Sequence, residues 1–149
     1  LRDWGHAKDY VRMQWMMLQQ DKPEDYVIST GMQYSVRDFV TESAKSIGIE
    51  IEFSGKNEDE VGVVKDFNSN SLNGIKKGDV IVRVDKKYYR PAEVESLLGD
   101  STKAKNQLGW SPSISFKDLV SEMAREDLKN AKRLAFLKEN GYETPLSGE

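Results

Sequence analysis

Large apolar side chains crowd the first twenty positions of this chain, at Trp4, Tyr10, Val11, Trp15 and Leu18. No other feature constrains the fold as strongly. From Ala7 to Gln20 the spacing predicts a helix with Tyr10, Met13 and Met17 on one face and Val11, Trp15 and Leu18 beside it, ended by Pro23. A free amino terminus usually carries a few loose polar residues before its first packed element. The segment therefore reads as the continuation of a longer protein. Its apolar face is expected to be exposed, covered by a partner chain or swapped, and a chain exposing that much apolar surface is expected to associate.

The rest of the chain alternates helix and strand signals. Tyr26 to Thr30 is predicted as a short strand closed by Gly31. Ser35 followed three residues later by Asp38 has capping-box spacing, and Val36, Phe39, Val40, Ala44 and Ile47 continue at helical spacing up to Gly48. Ile49, Ile51 and Phe53 alternate with glutamates, the pattern of a half-buried strand. Residues 54–78 are polar and rich in Gly and Asn, and read as a long excursion. Val80 to Val84 is a second clear strand, broken by the Tyr88–Pro91 stretch. A short helix is expected from Ser101 to Leu108, capped by Gly109. The Ser115/Asp118 pair then opens the longest helix, which carries Phe116, Leu119, Val120, Met123, Leu128, Ala131 and Ala135 and ends at Asn140-Gly141. The fold class is α/β, without internal repeats.

Composition removes several functions. The chain has 149 residues, 38% hydrophobic and 32% charged, with a net charge of −3. That balance gives no general electrostatic case for nucleic acid or an anionic membrane, so any bound anion must be held by a local Arg or Lys. No run of eighteen apolar residues is present to span a bilayer. There is no cysteine, hence no disulfide or thiolate zinc site, and the single His6 cannot build a histidine metal centre. No G-x-G pair occurs, so neither a dinucleotide fingerprint nor a P-loop is available. None of the six tyrosines has a lysine four residues later. The carboxylates Glu58 and Glu60 read as a solvated loop. No catalytic centre is identifiable in this chain.

Three stretches, RDWGHAKDYV at 2–11, YVISTG…YSVRDFV at 26–40 and YYRPAEVESLLGDSTKAKNQLGWSP at 88–112, stand in an order and spacing that carry a resemblance. Together they resemble the carboxyl-terminal part of the GDP-mannose 4,6-dehydratase family, extended short-chain dehydrogenase/reductase enzymes. The likeness runs over essentially the whole chain and is close to the bacterial form, including the stretch ending GIKKGDVIVRVD at 74–85. STKAKNQLGW is the less specific part, shared with many nucleotide-sugar epimerases and dehydratases.

The resemblance implies an enzyme of two parts. An amino-terminal Rossmann domain, absent here, would hold NADP and the catalytic groups. Residues 1–149 would be the nucleotide-sugar-binding part, with about 1–34 including outlying elements of the incomplete Rossmann domain and 54–79 the polar excursion. The implied reaction converts GDP-mannose to GDP-4-keto-6-deoxymannose and water, on the way to GDP-fucose and related deoxysugars. A cytoplasmic homo-oligomer, dimer or tetramer, that binds neither nucleic acid nor membrane is expected, and the isolated chain is expected to be inactive.

The same resemblance assigns Arg2, Arg90 and Glu93 to the substrate. A guanidinium makes a two-pronged, charge-assisted contact with phosphate oxygens, so Arg2 is implied to hold the diphosphate; otherwise it is a surface arginine. Pro91 forces a turn that can set Arg90 and Glu93 side by side at a pocket rim, one for the diphosphate and one for the ribose hydroxyls. The alternative for that pair is a surface ion pair of little worth. Tyr88 and Tyr89 are expected in core and rim packing, and Ser35 as the helix cap. Arg37 is expected on the solvated surface, with a nucleotide or a neighbouring subunit as the alternative. His6 is expected to pack or hydrogen-bond at the helix start, and Met13, Met16 and Met17 in core or interface. A rival class exists, since GIKKGDVIVRVD also resembles the strand and turn of PDZ peptide-binding domains. That match covers about a dozen residues, and no carboxylate-binding loop precedes it.

Overall fold

Serine side chains set two of the helix starts. The Ser35 hydroxyl accepts from the Asp38 N–H at 3.0 Å while the Asp38 carboxylate accepts from the Ser35 N–H at 2.8 Å, a complete capping box. Ser115 repeats half of it, accepting from the Asp118 N–H at 3.2 Å. The computed structural model describes residues 1–68, 72, 74–88 and 96–142. Its helices are α1 (Ala7–Leu18), α2 (Val36–Ser46), α3 (Thr102–Leu108) and α4 (Phe116–Glu139), and its strands β1 (Ile49–Ser54), β2 (Val61–Phe67) and β3 (Val80–Arg83). Gly109 ends α3 at φ +65°, a left-handed position that glycine adopts without steric cost.

The strands form an antiparallel sheet in the order β1-β2-β3, with irregularities at Glu50/Ile51 and Gly62/Val63. The middle strand lies inside the stretch expected to be a polar excursion. Its Val61-Gly62-Val63-Val64 run has no polar alternation, and the Gly- and Asn-rich flanks hide it. A Cβ on Gly62 would sit 3.0 Å from both Ile51 and Val82, tight enough that the side chains of both neighbouring strands would have to give.

The expected strand at Tyr26–Thr30 is not one. No ladder forms there among the described residues. Its end is held instead by a carboxylate, as described below.

Packing divides between two clusters. Met13, Ala104 and Trp110 are buried where α1 meets α3, with Met16 and Met17 against them. Ala44, Ile49 and Val64 are buried between α2 and the sheet. An aromatic group joins the amino-terminal segment to α2 and α4: Tyr34 stacks on Phe116 at 3.8 Å, and Trp4 lies 5.1 Å from Phe39 and 5.9 Å from Phe116. The outer face of α1 leaves Val11, Trp15 and Leu18 exposed, and Val27 is exposed as well. No helix among the described residues is long and apolar enough to cross a membrane.

Candidate functional site

Arg2 is placed by its backbone. Its N–H donates to the Tyr34 carbonyl and its carbonyl accepts from the Tyr34 N–H, both at 2.9 Å, in an isolated antiparallel bridge. The guanidinium donates to the Leu1 carbonyl at 2.9 Å. The next residue completes the anchor. The Asp3 carboxylate accepts from the Thr30 N–H at 3.0 Å, from the Thr30 hydroxyl, and from the Gly31 N–H at 2.9 Å. Those backbone groups would otherwise lack a ladder partner, and bonds to an ionised acceptor are the stronger kind. Residues 2–4 and 30–34 thus form a platform pinned by one isolated bridge and the Asp3 carboxylate.

Beside the platform lies a cleft of about 250 Å³ lined by Trp4, Thr30, Met32, Tyr34, Ser113 and Phe116 among others. Aromatic faces and hydroxyls line it, and Arg2 lies on the bridge that carries Tyr34. Such a surface can bind and orient, and among the described residues that line it there is no histidine, lysine or carboxylate for proton transfer.

One lining residue ties the cleft to α1. The Asp9 carboxylate, 2% exposed, accepts from the Ser113 N–H at 2.9 Å, the Ile114 N–H at 3.0 Å and the Ser113 hydroxyl at 2.6 Å. Arg12 lies 3.5 Å away. Burial pushes its pKa up, but the Ser113 hydroxyl, the Ile114 and Ser113 N–H groups and Arg12 together outweigh burial and hold it below the ordinary carboxylate value. The Asp9 carbonyl also accepts from the buried Trp110 indole N–H at 3.0 Å. Neither Asp3 nor Asp9 stood out in the sequence, where both look like ordinary acids near a helix start.

His6 closes the amino end of α1. Its Nδ1 accepts from the Lys8 N–H at 3.0 Å, and its Nε2 lies 3.4 Å from Glu122 of α4. A ring nitrogen that accepts from the backbone leaves the other to carry the proton toward the carboxylate. Arg37 pairs with Glu60 and lies 5.5 Å over the Phe53 ring, so its guanidinium is engaged within the chain. Tyr88 does not pack as expected. It is 71% exposed, with the Lys87 ammonium 5.3 Å over its ring. Tyr89, Arg90 and Glu93 lie outside the described residues.

With this geometry in place, residues 1–123 match the family model described as GDP-mannose 4,6 dehydratase. The chain belongs to the GDP-mannose 4,6 dehydratase family. Over all 149 residues it is 56% identical to a GDP-mannose 4,6-dehydratase of Vibrio cholerae and 58% identical to one of Yersinia enterocolitica, covering 40% of each. It is 52% identical over 128 residues to the human GDP-mannose 4,6 dehydratase, covering 32% of that protein. The chain therefore spans about 40% of the length of the bacterial family members it matches. The stretch GIKKGDVIVRVD lies inside the matched range, and nothing supports the PDZ-like reading.

Proposed function

We propose that this chain is the GDP-sugar-binding part of a GDP-mannose 4,6-dehydratase, an extended short-chain dehydrogenase/reductase that converts GDP-mannose to GDP-4-keto-6-deoxymannose and water. The observation that carries the reading is the match across all 149 residues, at 56–58% identity, with bacterial proteins of that name. Arg2 and Arg90 bind the diphosphate, and Glu93 accepts from the ribose hydroxyls. The Asp3 carboxylate supports this role, because it holds Thr30 and Gly31 rigid beneath the Arg2–Tyr34 bridge. A preorganised arginine loses less entropy on meeting phosphate than a free one.

The chemistry is oxidation at C4, loss of water across C5–C6 and return of hydride to C6. NADP supplies the hydride acceptor and donor for those steps. The residues of this chain do not fit that group: there is no G-x-G pair, and the amino end of α1 is closed by the His6 ring rather than open to phosphate. NADP and the proton-transfer groups therefore belong to an amino-terminal Rossmann domain outside these residues, whose last elements are α1 and the Tyr26–Thr30 segment. The full enzyme is a cytoplasmic homo-oligomer, and residues 1–149 alone are inactive.

Hydrogen exchange on the full-length enzyme tests this. GDP should slow exchange at the Arg2 and Tyr34 amides and across residues 88–95. Protection confined entirely outside residues 1–149 would overturn the reading.

A further inference from the structure

The far half of α4 runs past the helix it packs on and is largely exposed. At 1.5 Å per residue its 24 residues reach about 36 Å, whereas the 11 residues of α2, the helix it packs on, reach about 16 Å. Every residue from Ala131 to Phe136 is exposed, with Leu134 at 41% and Phe136 at 62%. An unsupported helical end of this length is marginal in water. The overhang also lies beyond the family model, which stops at Met123, yet the bacterial family members match through it.

The sequence of α4 matches a second copy of itself. From Phe116 to Asp127 there are four acidic and two basic residues, a net of −2; from Leu128 to Tyr142 there are four basic and one acidic, a net of +3. An antiparallel pair lays each acidic half on the other's basic half. The finer spacing agrees. Met123, Asn130 and Leu137 recur every seven residues, as do Asp127 and Leu134, and Glu126 and Arg133 flank that seam with the same spacing. About a two-fold axis near residues 128–129, Met123 meets Leu134 of the second copy, Asp127 meets Asn130, and Glu126 lies beside Arg133. A groove of about 390 Å³ between α2 and α4, lined by Phe39, Ile47, Met123 and Asp127 among others, lies along the same side.

We propose that this face of α4, from Met123 to Leu137, is an isologous interface between two copies of the protein, paired antiparallel. Each contact occurs twice, as two-fold symmetry requires. Among the described residues of one copy Glu126 is engaged by Lys129 at 3.4 Å, an exposed pair of little worth, so turning it to Arg133 of the second copy costs little. The interface does not depend on where the GDP-sugar binds.

Sedimentation equilibrium of the full-length protein tests it, with circular dichroism confirming that each variant is folded. Glu126→Lys and Arg133→Glu should each weaken one association step by about tenfold, because each reversal places like charges together on both sides of the axis. The double variant should recover to within about threefold of the parent, and Leu134→Asp should abolish the step. Added salt should weaken the parent's association. Where a reversal does not fold, Arg133→Gln replaces it and should weaken the step by a smaller factor. Four results would overturn the proposal. They are no association of the parent protein, unchanged association in the single reversals, a double variant as weak as either single, and a Leu134→Asp protein that melts earlier but associates normally. The last would place the cover of α4 within the same polypeptide.

Discussion

Replacing Asp9 by asparagine should destabilise the fold well beyond an ordinary helix substitution. The carboxylate is 2% exposed and receives the Ser113 and Ile114 N–H groups on one oxygen, and the Ser113 hydroxyl and Arg12 on the other. In its better orientation an asparagine keeps its carbonyl under the two N–H groups and turns its amide toward the other pair. The Ser113 hydroxyl can rotate to accept, but Arg12 has only donors to offer. Hydrogen bonds to a charged group contribute about 1.5–3 kcal/mol against about 0.5–1.5 for neutral ones. Losing charge assistance on three bonds, together with the Arg12 contact, amounts to about 2–4 kcal/mol. Asp9→Ala, which strands the donors, should cost about 3–5 kcal/mol. In urea, with a slope of about 2 kcal/mol per molar, the asparagine variant should unfold about 1–2 M earlier by circular dichroism. The pH dependence has a definite sign. Because the folded pKa is lowered, the contribution is present above the unfolded carboxylate pKa of about 4 and is lost as pH falls through the folded value. Asp9→Asn should therefore flatten the loss of stability below about pH 4. An asparagine variant within about 0.5 kcal/mol of the parent, with the same acid slope, would refute the reasoning.

Other outcomes follow from the same structure. Ser35→Ala removes one side of a complete capping box and should lower stability by about 1 kcal/mol in denaturant titration, with no effect on GDP binding. Gly62→Ala places a methyl group 3.0 Å from Ile51 and Val82 in the middle strand, and should cost about 1–3 kcal/mol, read as a lower melting temperature. The isolated 149-residue chain should show no turnover of GDP-mannose with NADP present, by chromatography of the nucleotide sugars.

What was legible in the sequence was local. The capping pairs at Ser35 and Ser115 and the Gly109 stop are written within a few residues of the helix ends they set, and each helix falls where its spacing predicts. β1 shows itself by alternation. β2 does not, because Val61, Val63 and Val64 put apolar residues on both faces of the strand, and its Gly62 reads as a turn residue. Tyr26–Thr30 has the composition of a strand, but a strand needs a neighbour, and here Asp3 takes up the Thr30 and Gly31 N–H groups instead. Asp9 was illegible for the same reason, since Ser113 and Ile114 lie more than 100 residues away in the chain. Arg2 is assigned to the substrate only by a three-stretch resemblance; the structure shows where its backbone stands, in a bridge to Tyr34.

The central claim is that this chain supplies the groups that hold GDP, with Arg90 foremost among them. Calorimetric titration of GDP into the full-length enzyme and its Arg90→Ala variant tests that most directly. Removing a charge-assisted contact to the diphosphate, worth about 1.5–3 kcal/mol, should weaken GDP about tenfold to hundredfold. GDP-mannose should suffer equally, in KM more than in kcat because the nucleotide does not react, while the NADP titration is unchanged. Arg90→Lys should not fully rescue, since a point charge cannot reproduce a two-pronged contact. Unaltered GDP affinity in a folded Arg90→Ala enzyme would contradict the account and reduce Arg90 and Glu93 to a surface ion pair.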